Sequence, residues 1–366
     1  MGATQTTILI MAAGTGGHVF PALSIAQKLQ AQGVNTEWLG TRQGMENNLL
    51  ENTGIKIHQI SVKGLKGNGI LRMLMAPIML AVALIQSMRI IFRVKPACVL
   101  GMGGFVSGPG GVATKLMGRH LVIHEQNAVP GFTNQALAKI SDRVFEAFPD
   151  TFKASPKVIY TGNPLRKEIA ALNSNVREVS EKDQPLHILV LGGSQGALAI
   201  NEVIPKTIAE LSVAPKPELL HQTGKNNFES TKLNYQSLGI ELSEQIQLEA
   251  FIDDMPKAYA WADLVICRSG ASTVSEIAAV GLPSILIPYP HHSDQQQSHN
   301  AKWLVDGGAA VMIQQSDLNS ESLKEIINKL QNNREKLNEM GASAKALAIC
   351  NADELIAAQC LEFAHV

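Results

Sequence analysis

Short apolar runs alternate along this chain with longer segments whose apolar positions recur every three or four residues. The short runs read as strands buried on both faces, and the longer segments as helices. Their alternation predicts parallel sheets covered by helices on both sides. The first half gives strands at Ile8–Ala13, Val34–Leu39, Ile55–Val62, Ala97–Leu100, Leu121–His124, Arg143–Glu146 and Val158–Thr161. Helices are expected at Phe20–Gln32, with Pro21 in the first turn and Gly33 at the end, and at Pro77–Val94, stopped by Pro96. The second half restarts the pattern with strands at Leu186–Leu191, Glu218–Gln222, Ile246–Glu249, Leu264–Cys267, Ser284–Pro288 and Ala310–Ile313. From Ser320 onward the chain reads as helical apart from a break near Gly341.

One unit recurs within this pattern: an apolar strand enters a glycine-rich loop, and the loop enters a helix. It occurs at Gly14-Thr15-Gly16-Gly17-His18 and again at Gly192-Gly193-Ser194-Gln195-Gly196-Ala197. Such loops let backbone N–H groups approach an anion at a helix N-terminus, where the dipole favours negative charge. Two copies half a chain apart predict two Rossmann-like α/β domains with a cleft between them. The boundary is expected at the turn-forming Gly162-Asn163-Pro164-Leu165-Arg166, giving residues 1–163 and 164–344, with a terminal helix at 345–366 packing back on the first domain.

Composition supports two full cores: of 366 residues, 45% are hydrophobic and 17% charged. The four cysteines form no CxxC pair and read as buried thiols. No basic residue precedes Lys28, so no signal peptide is expected. The net charge of −1 conceals a local imbalance. Between Asn52 and His124 there is no Asp or Glu but there are nine Lys and Arg residues, among them Arg72, Arg89 and Arg93. Within that segment Met73–Ile85 carries no charge over thirteen residues. It is shorter than the roughly 20 residues a membrane span needs, and Pro77 interrupts it. An apolar helix rimmed by uncompensated cations predicts a surface resting on an anionic bilayer, with Arg72, Leu74, Ile78, Leu80, Arg89 and Arg93 as its patch. A buried core helix is the plainer alternative. The segment lacks interleaved aromatics and any nucleic-acid motif, so no nucleic-acid partner is expected.

Several chemistries fit poorly. A dinucleotide fold wants G-x-G-x-x-G and an acidic residue ending the second strand, but Val19 takes the third glycine position and Leu39-Gly40-Thr41 ends that strand. Neither loop carries a Walker Lys-Ser/Thr pair. The polar stretch His291–Asn300 contains three histidines and Asp294, yet its spacing fits no metal-ligand pattern, so no metal and no cofactor are expected. Its amides suit sugar hydroxyls better, because each both donates and accepts. His18 stands at a helix N-terminus, which disfavours the imidazolium form and leaves a ring able to accept a proton. Glu276 follows the turn Arg268-Ser269-Gly270-Ala271, where it either compensates the helix dipole or accepts hydrogen bonds from a vicinal diol.

Taken together, these pieces resemble the MurG family of bacterial glycosyltransferases. The matching segments are Gly14–Pro21, Gly103–Gly111, His124-Glu125-Gln126-Asn127, Gly162–Arg166, Gly192–Ala197, Phe251-Ile252-Asp253-Asp254-Met255, Arg268–Glu276 and Asp294–Gln297. The resemblance implies a two-domain glycosyltransferase B fold. It implies inverting transfer of N-acetylglucosamine from UDP-N-acetylglucosamine to the C4 hydroxyl of lipid I at the cytoplasmic membrane face, yielding lipid II.

The resemblance also implies residue roles. Ile252 would meet the uracil and Glu276 the ribose. Ser194, with the Gly192–Gly196 loop and the helix opening at Ala271, Ser272, Thr273, Val274 and Ser275, would hold the diphosphate, and Arg166 would assist at the nucleotide. Gln296 and Gln297 would read the sugar, with Thr15, Gly16, Gly17 and Asn127 closing from the first domain. Gly14, Gly103 and Gly104 would receive the acceptor diphosphate. His18 would be the catalytic base, with Glu125 as the fallback. A UDP-N-acetylglucosamine epimerase on the same fold, and a membrane-surface binding module without catalysis, are the competing readings.

Overall fold

The computed structural model describes residues 6–62, 70–174, 179–193, 196–291 and 294–364, with the side chains of 70–74 outside that description. The chain forms two compact units, Met1–Arg166 with Ile349–Val366, and Lys167–Ala348.

In the first unit the elements run β1 (Thr7–Met11), α1 (Gly16–Ala31), β2 (Asn35–Thr41), α2 (Glu46–Leu49), β3 (Lys56–Ile60), α3 (Ile70–Val94), β4 (Cys98–Gly101), α4 (Gly104–Leu116), β5 (His120–Glu125), α5 (Phe132–Leu137), β6 (Arg143–Glu146) and β7 (Val158–Tyr160). The sheet order is β3-β2-β1-β4-β5-β6-β7, and every pairing is parallel. The strand order therefore reverses between β1 and β4. Ligands of open α/β sheets bind outside the carboxyl ends of the strands at such a reversal.

The second unit runs α6 (Lys167–Ala171), β8 (His187–Leu191), α7 (Leu198–Glu210), β9 (Glu218–Gln222), α8 (Phe228–Ser237), β10 (Ile246–Glu249), α9 (Met255–Trp261), β11 (Leu264–Cys267), α10 (Ala271–Val280), β12 (Ser284–Leu286), α11 (Gln296–Asp306), β13 (Ala310–Met312), α12 (Ser320–Asn332) and α13 (Arg334–Leu347). Its sheet, β10-β9-β8-β11-β12-β13, is also all parallel and reverses between β8 and β11. The expected fold class, two α/β domains each with a parallel sheet, is the one observed.

Strands β1, β4 and β8 are buried on both faces, which is why their sequences read as unbroken apolar runs. The last helix, α14 (Ala352–Glu362), lies against α1, and its Ile356, Ala357 and Cys360 complete one core face of the first unit. The opposite face is closed by α3, α4 and α5, with Ala83 and Ile91 of α3 and Val106 and Ala113 of α4 inside.

Three local expectations are corrected. Helix α1 opens at Gly16 rather than Phe20, so the glycine motif forms its first turn and Pro21 lies inside the helix. Pro21 has no N–H to offer the Gly17 carbonyl, and that turn holds one bond fewer. The run Gly103–Gly111 supplies the cap and opening turns of α4. Helix α3 begins at Ile70 and passes through the exposed Pro77, which the sequence reading took for an opening residue. Its Met75–Val94 stretch is thus long and apolar enough, by length and composition, to cross a membrane, and only 17% of the most apolar window is buried.

The expected break at Gly341 is absent: α12 and α13 part at Asn333, whose side chain accepts the Lys336 N–H and caps α13. Gly341 serves close approach instead, since a Cβ there would stand 2.8 Å from the Gly281 carbonyl oxygen.

Candidate functional site

In the first unit, two helix N-termini converge where the strand order reverses. Thr15 caps α1 and Gly103 caps α4. Gly104 holds φ +76° and a Cβ on it would stand 2.6 Å from the Ala13 carbonyl oxygen, so only glycine lets the α4 turn approach the β1 loop this closely. Beside this turn lies His18, whose ring would be 3.2 Å from a Cβ on Gly103. Gly14 and Thr15 are exposed at the mouth.

His18 belongs to a chain of polar groups that runs inward. Its Nδ1 lies 2.8 Å from Gln126 Oε1. Gln126 Nε2 is 3.0 Å from His124 Nδ1, and His124 Nε2 is 3.0 Å from the Gly162 carbonyl oxygen. Asn163 Nδ2 donates to the Gln126 carbonyl at 3.0 Å. Gln126, His124 and Asn163 are buried. Burial pulls the His124 imidazole down to about 4, against the raising effect of its bond to Gly162, so its ring is neutral at pH 7.

Glu125 has a different character. Its Oε1 accepts the Asn127 N–H at 3.1 Å and Asn127 Nδ2 at 3.2 Å, and its Oε2 accepts the Gly131 N–H at 3.1 Å and Asn134 Nδ2 at 2.9 Å. Both oxygens thus hold the loop leading to α5.

A hollow of about 760 Å³ starts at Ala13 and Gly14 and runs past Thr41, Arg42 and Gly44 to Ile78 and Phe105. A second, almost wholly apolar hollow of about 400 Å³ shares Val62, Met79 and Phe105 with it and continues along Leu80, Val112 and Phe132. Large apolar side chains are exposed around these hollows, Ile78 at 60% and Phe132 at 86%. Leu80 is exposed too, and so are Arg89 and Arg93 on the same helix. The side chains of Arg72 and Leu74 lie outside the described residues.

In the second unit, the glycine loop after β8 and the N-terminus of α10 stand at the reversal between β8 and β11. Gly196 allows no side chain, because a Cβ would lie 2.1 Å from the Thr223 carbonyl oxygen. Ser194 lies outside the described residues. Helix α10 is capped by Gly270, and in its first turn Ser272 Oγ is buried without a partner among the described residues. Ala271 and Val274 are buried, Thr273 is half-buried, and Ser275 Oγ is turned back to the Ala271 carbonyl at 2.9 Å. One turn on, Glu276 Oε2 accepts the Tyr259 hydroxyl at 2.9 Å.

Two residues of this unit carry structural roles that the sequence does not assign them. Gln222, closing β9, accepts the Ile252 N–H on Oε1 at 3.0 Å and donates from Nε2 to the Gly193 carbonyl at 3.2 Å. It ties the glycine loop to the segment beside a hollow of about 460 Å³ lined by Phe251, Ile252, Asp254 and Trp261. Arg268 donates from Nη1 to the Ile287 and Pro288 carbonyls and from Nη2 to Gln315, fixing the loop that leads into α11. At the opening of α11, Gln297 Oε1 accepts the N–H of Tyr289 on that loop at 3.0 Å, and Gln296 Nε2 donates to Asp294 at 2.9 Å. Arg166, half-buried, is the last residue of the first unit's main segment. Among the described residues no group of three His, Cys, Asp or Glu side chains is placed to hold a metal ion.

Residues 8–146 match the glycosyltransferase family 28 N-terminal domain, and residues 187–356 its C-terminal domain. A Pseudomonas putida protein named UDP-N-acetylglucosamine--N-acetylmuramyl-(pentapeptide) pyrophosphoryl-undecaprenol N-acetylglucosamine transferase is 48% identical over 365 residues, covering 100% of both chains. A Shewanella denitrificans protein of the same name is 49% identical over 98% of this chain and 97% of its own. Among solved structures, Acinetobacter baumannii MurG superposes with a TM-score of 0.82 at 40% identity, covering 98% of this chain and 99% of that one. A UDP-GlcNAc 2-epimerase from Neisseria meningitidis bound to UDP-GlcNAc reaches 0.66 at 15% identity, over 98% of this chain and 100% of its own, a likeness of fold alone.

Proposed function

The chain belongs to glycosyltransferase family 28, and from that premise we propose that it transfers N-acetylglucosamine from UDP-N-acetylglucosamine to the C4 hydroxyl of the muramoyl sugar of lipid I, with inversion at the anomeric carbon. The observation that carries this reading is the full-length identity of 47–49% to relatives named for that reaction.

The donor binds the second unit. Its diphosphate takes the N-terminus of α10, where the helix dipole and the unpartnered Ser272 Oγ favour an anion, together with the loop at Gly192–Gly196 and Ser194. The uracil enters the hollow at Ile252. Because the Ile252 N–H is already given to Gln222, the base is met there by the backbone carbonyl. Glu276, oriented by Tyr259, accepts the ribose diol. Gln296 and Gln297, at the opening of α11, read the sugar with the amide atoms not used in their bonds to Asp294 and Tyr289, the Gln296 carbonyl and the Gln297 amino group. The acceptor's diphosphate takes the paired N-termini at Gly14, Gly103 and Gly104.

The acceptor C4 oxygen attacks the anomeric carbon, and the bond to UDP breaks. The hydroxyl proton passes to His18, and UDP leaves with its charge held by helix N–H groups. Glu125, with both oxygens committed to the loop, serves as its organiser. The exposed apolar face of α3, with Ile78, Leu80, Arg89 and Arg93, rests on an anionic leaflet at the cytoplasmic face of the membrane. One stripe of that helix is packed on α4, which supports a helix lying on the bilayer rather than crossing it.

The test supplies radiolabelled UDP-N-acetylglucosamine with a short-chain lipid I analogue. Label appearing in the acceptor, with UDP released, is the expected result. Formation of UDP-N-acetylmannosamine without acceptor would favour the epimerase reading. A His18→Ala variant is expected to keep donor affinity and lose turnover, which also separates an enzyme from a binding module.

A further inference from the structure

We propose that Gln126 and His124 are positioning residues that hold His18 in the Nδ1–H tautomer and so leave the lone pair on Nε2 for the acceptor's proton; this rests on the transferase reading above. One end of this polar chain is an atom whose role is fixed by chemistry. The Gly162 carbonyl oxygen can only accept, so His124 Nε2, 3.0 Å away, must carry a hydrogen. The His124 ring is fully buried and neutral, so its other nitrogen, Nδ1, is a bare acceptor.

The atom 3.0 Å from that acceptor must be a donor, which makes it the amino group of Gln126 rather than its oxygen. A second acceptor, the His124 carbonyl at 3.3 Å from the same amino group, requires the same orientation. The Gln126 main chain is itself held by Asn163, whose Nδ2 donates to its carbonyl, so the side chain extends from a fixed backbone. With its amino group turned inward, Gln126 presents Oε1 to His18. An amide oxygen only accepts, so His18 Nδ1, 2.8 Å away, must be the protonated nitrogen.

Three bonds therefore carry a direction outward from one backbone carbonyl to the ring at the mouth. His18 Nε2 has no hydrogen-bond partner among the described residues. When Nε2 takes the hydroxyl proton, the ring becomes an imidazolium and its Nδ1–H bond to Gln126 strengthens. No proton travels inward, because Gln126 cannot relay one and His124 stays neutral.

The experiment uses the full chain labelled with nitrogen-15 histidine and reads imidazole tautomers by long-range proton–nitrogen correlation, with His18 assigned by its loss in His18→Asn. The expected wild-type spectrum shows His18 protonated at Nδ1 and His124 at Nε2. A His18 protonated at Nε2 overturns the proposal. The variant Gln126→Met keeps the side-chain length and removes the amide's bonds to His18, to the His124 ring and to the His124 carbonyl. It is expected to turn His18 into a mixture of tautomers and to lower kcat on the order of 10²-fold with KM for UDP-N-acetylglucosamine unchanged. An unchanged tautomer, or a kcat within about twofold of wild type, overturns it. Should Gln126→Met fail to fold, the wild-type spectrum still decides. Absence of any transfer by the wild-type chain would count against the transferase reading and leave the spectral result standing.

Discussion

Gln222 takes the backbone N–H of Ile252 on its Oε1 at 3.0 Å, and with its other amide atom it takes the Gly193 carbonyl. One buried side chain thus couples the segment proposed to meet the base to the loop proposed to meet the diphosphate. Gln222→Leu is close in size and loses both bonds. It is expected to weaken UDP-N-acetylglucosamine binding about tenfold, equivalent to ~1.4 kcal/mol, with the fold retained. Calorimetric titration checks this, and an unchanged affinity would remove Gln222 from the donor site.

Glu276 carries the next prediction. Its Oε2 is already bonded by the Tyr259 hydroxyl, which fixes the carboxylate plane while the group remains half-buried. Hydrogen bonds to a charged acceptor contribute about 1.5–3 kcal/mol, so Glu276→Ala is expected to raise the donor Kd by one to two orders of magnitude. Tyr259→Phe leaves the carboxylate in place and should cost less. Equal losses in the two variants would point to damage in packing rather than to a diol contact.

The sequence made some of this legible and hid the rest, for reasons that lie in particular residues. Strand, loop and helix alternate within windows of a dozen residues, and the strands at Ile8, His187 and Leu264 are buried on both faces, so the parallel sheets could be read directly. The segments around Gly14, Gly192 and Gly270 were found because glycine between a strand and a helix has a local meaning. Gln222 and Gln126 were not assigned roles, because a glutamine's partners lie 30 and 108 residues away in sequence. Pro77 was read as a helix start and Gly341 as a helix break. Both residue types mark ends in isolation, yet here the proline sits on an exposed turn and the glycine admits a neighbouring backbone.

Arg89 and Arg93 lie one turn apart on α3, both exposed and surrounded by exposed apolar side chains such as Ile85 and Phe92. Each basic residue near an anionic leaflet contributes about 1 kcal/mol. Reversing both, as Arg89→Glu with Arg93→Glu, is expected to reduce binding to phosphatidylglycerol vesicles by at least tenfold, with the difference shrinking at high salt. Turnover on a soluble acceptor analogue should be spared. Loss of both together would indicate a folding defect.

The last prediction concerns acid. His221 lies wholly inside the second unit, with Nε2 3.1 Å from Asn201 Oδ1 and Nδ1 3.1 Å from the Tyr235 hydroxyl. Asn201 Nδ2 donates to the Thr223 carbonyl, so Asn201 Oδ1 is the acceptor and His221 is neutral with its hydrogen on Nε2. Burial lowers its imidazole to about 3, as it lowers His124 in the first unit to about 4. In the unfolded chain both rings protonate near the ordinary 6.5. Below that value the unfolded state binds protons that the folded state refuses, so stability present above pH 6.5 is lost progressively as pH falls. By pH 5 each ring costs roughly 2 kcal/mol relative to neutral pH. Glu146 and Asp353, raised by burial, act in the opposite sense, but from ordinary values of 4.5 and 3.8, so the interval from pH 6.5 to 5 belongs mainly to the histidines. The thermal midpoint should therefore drop between pH 7 and pH 5, and His221→Gln should flatten the drop for the second unit while lowering the midpoint at pH 7. A midpoint that stays level over this interval would mean that these rings take up protons in the folded chain.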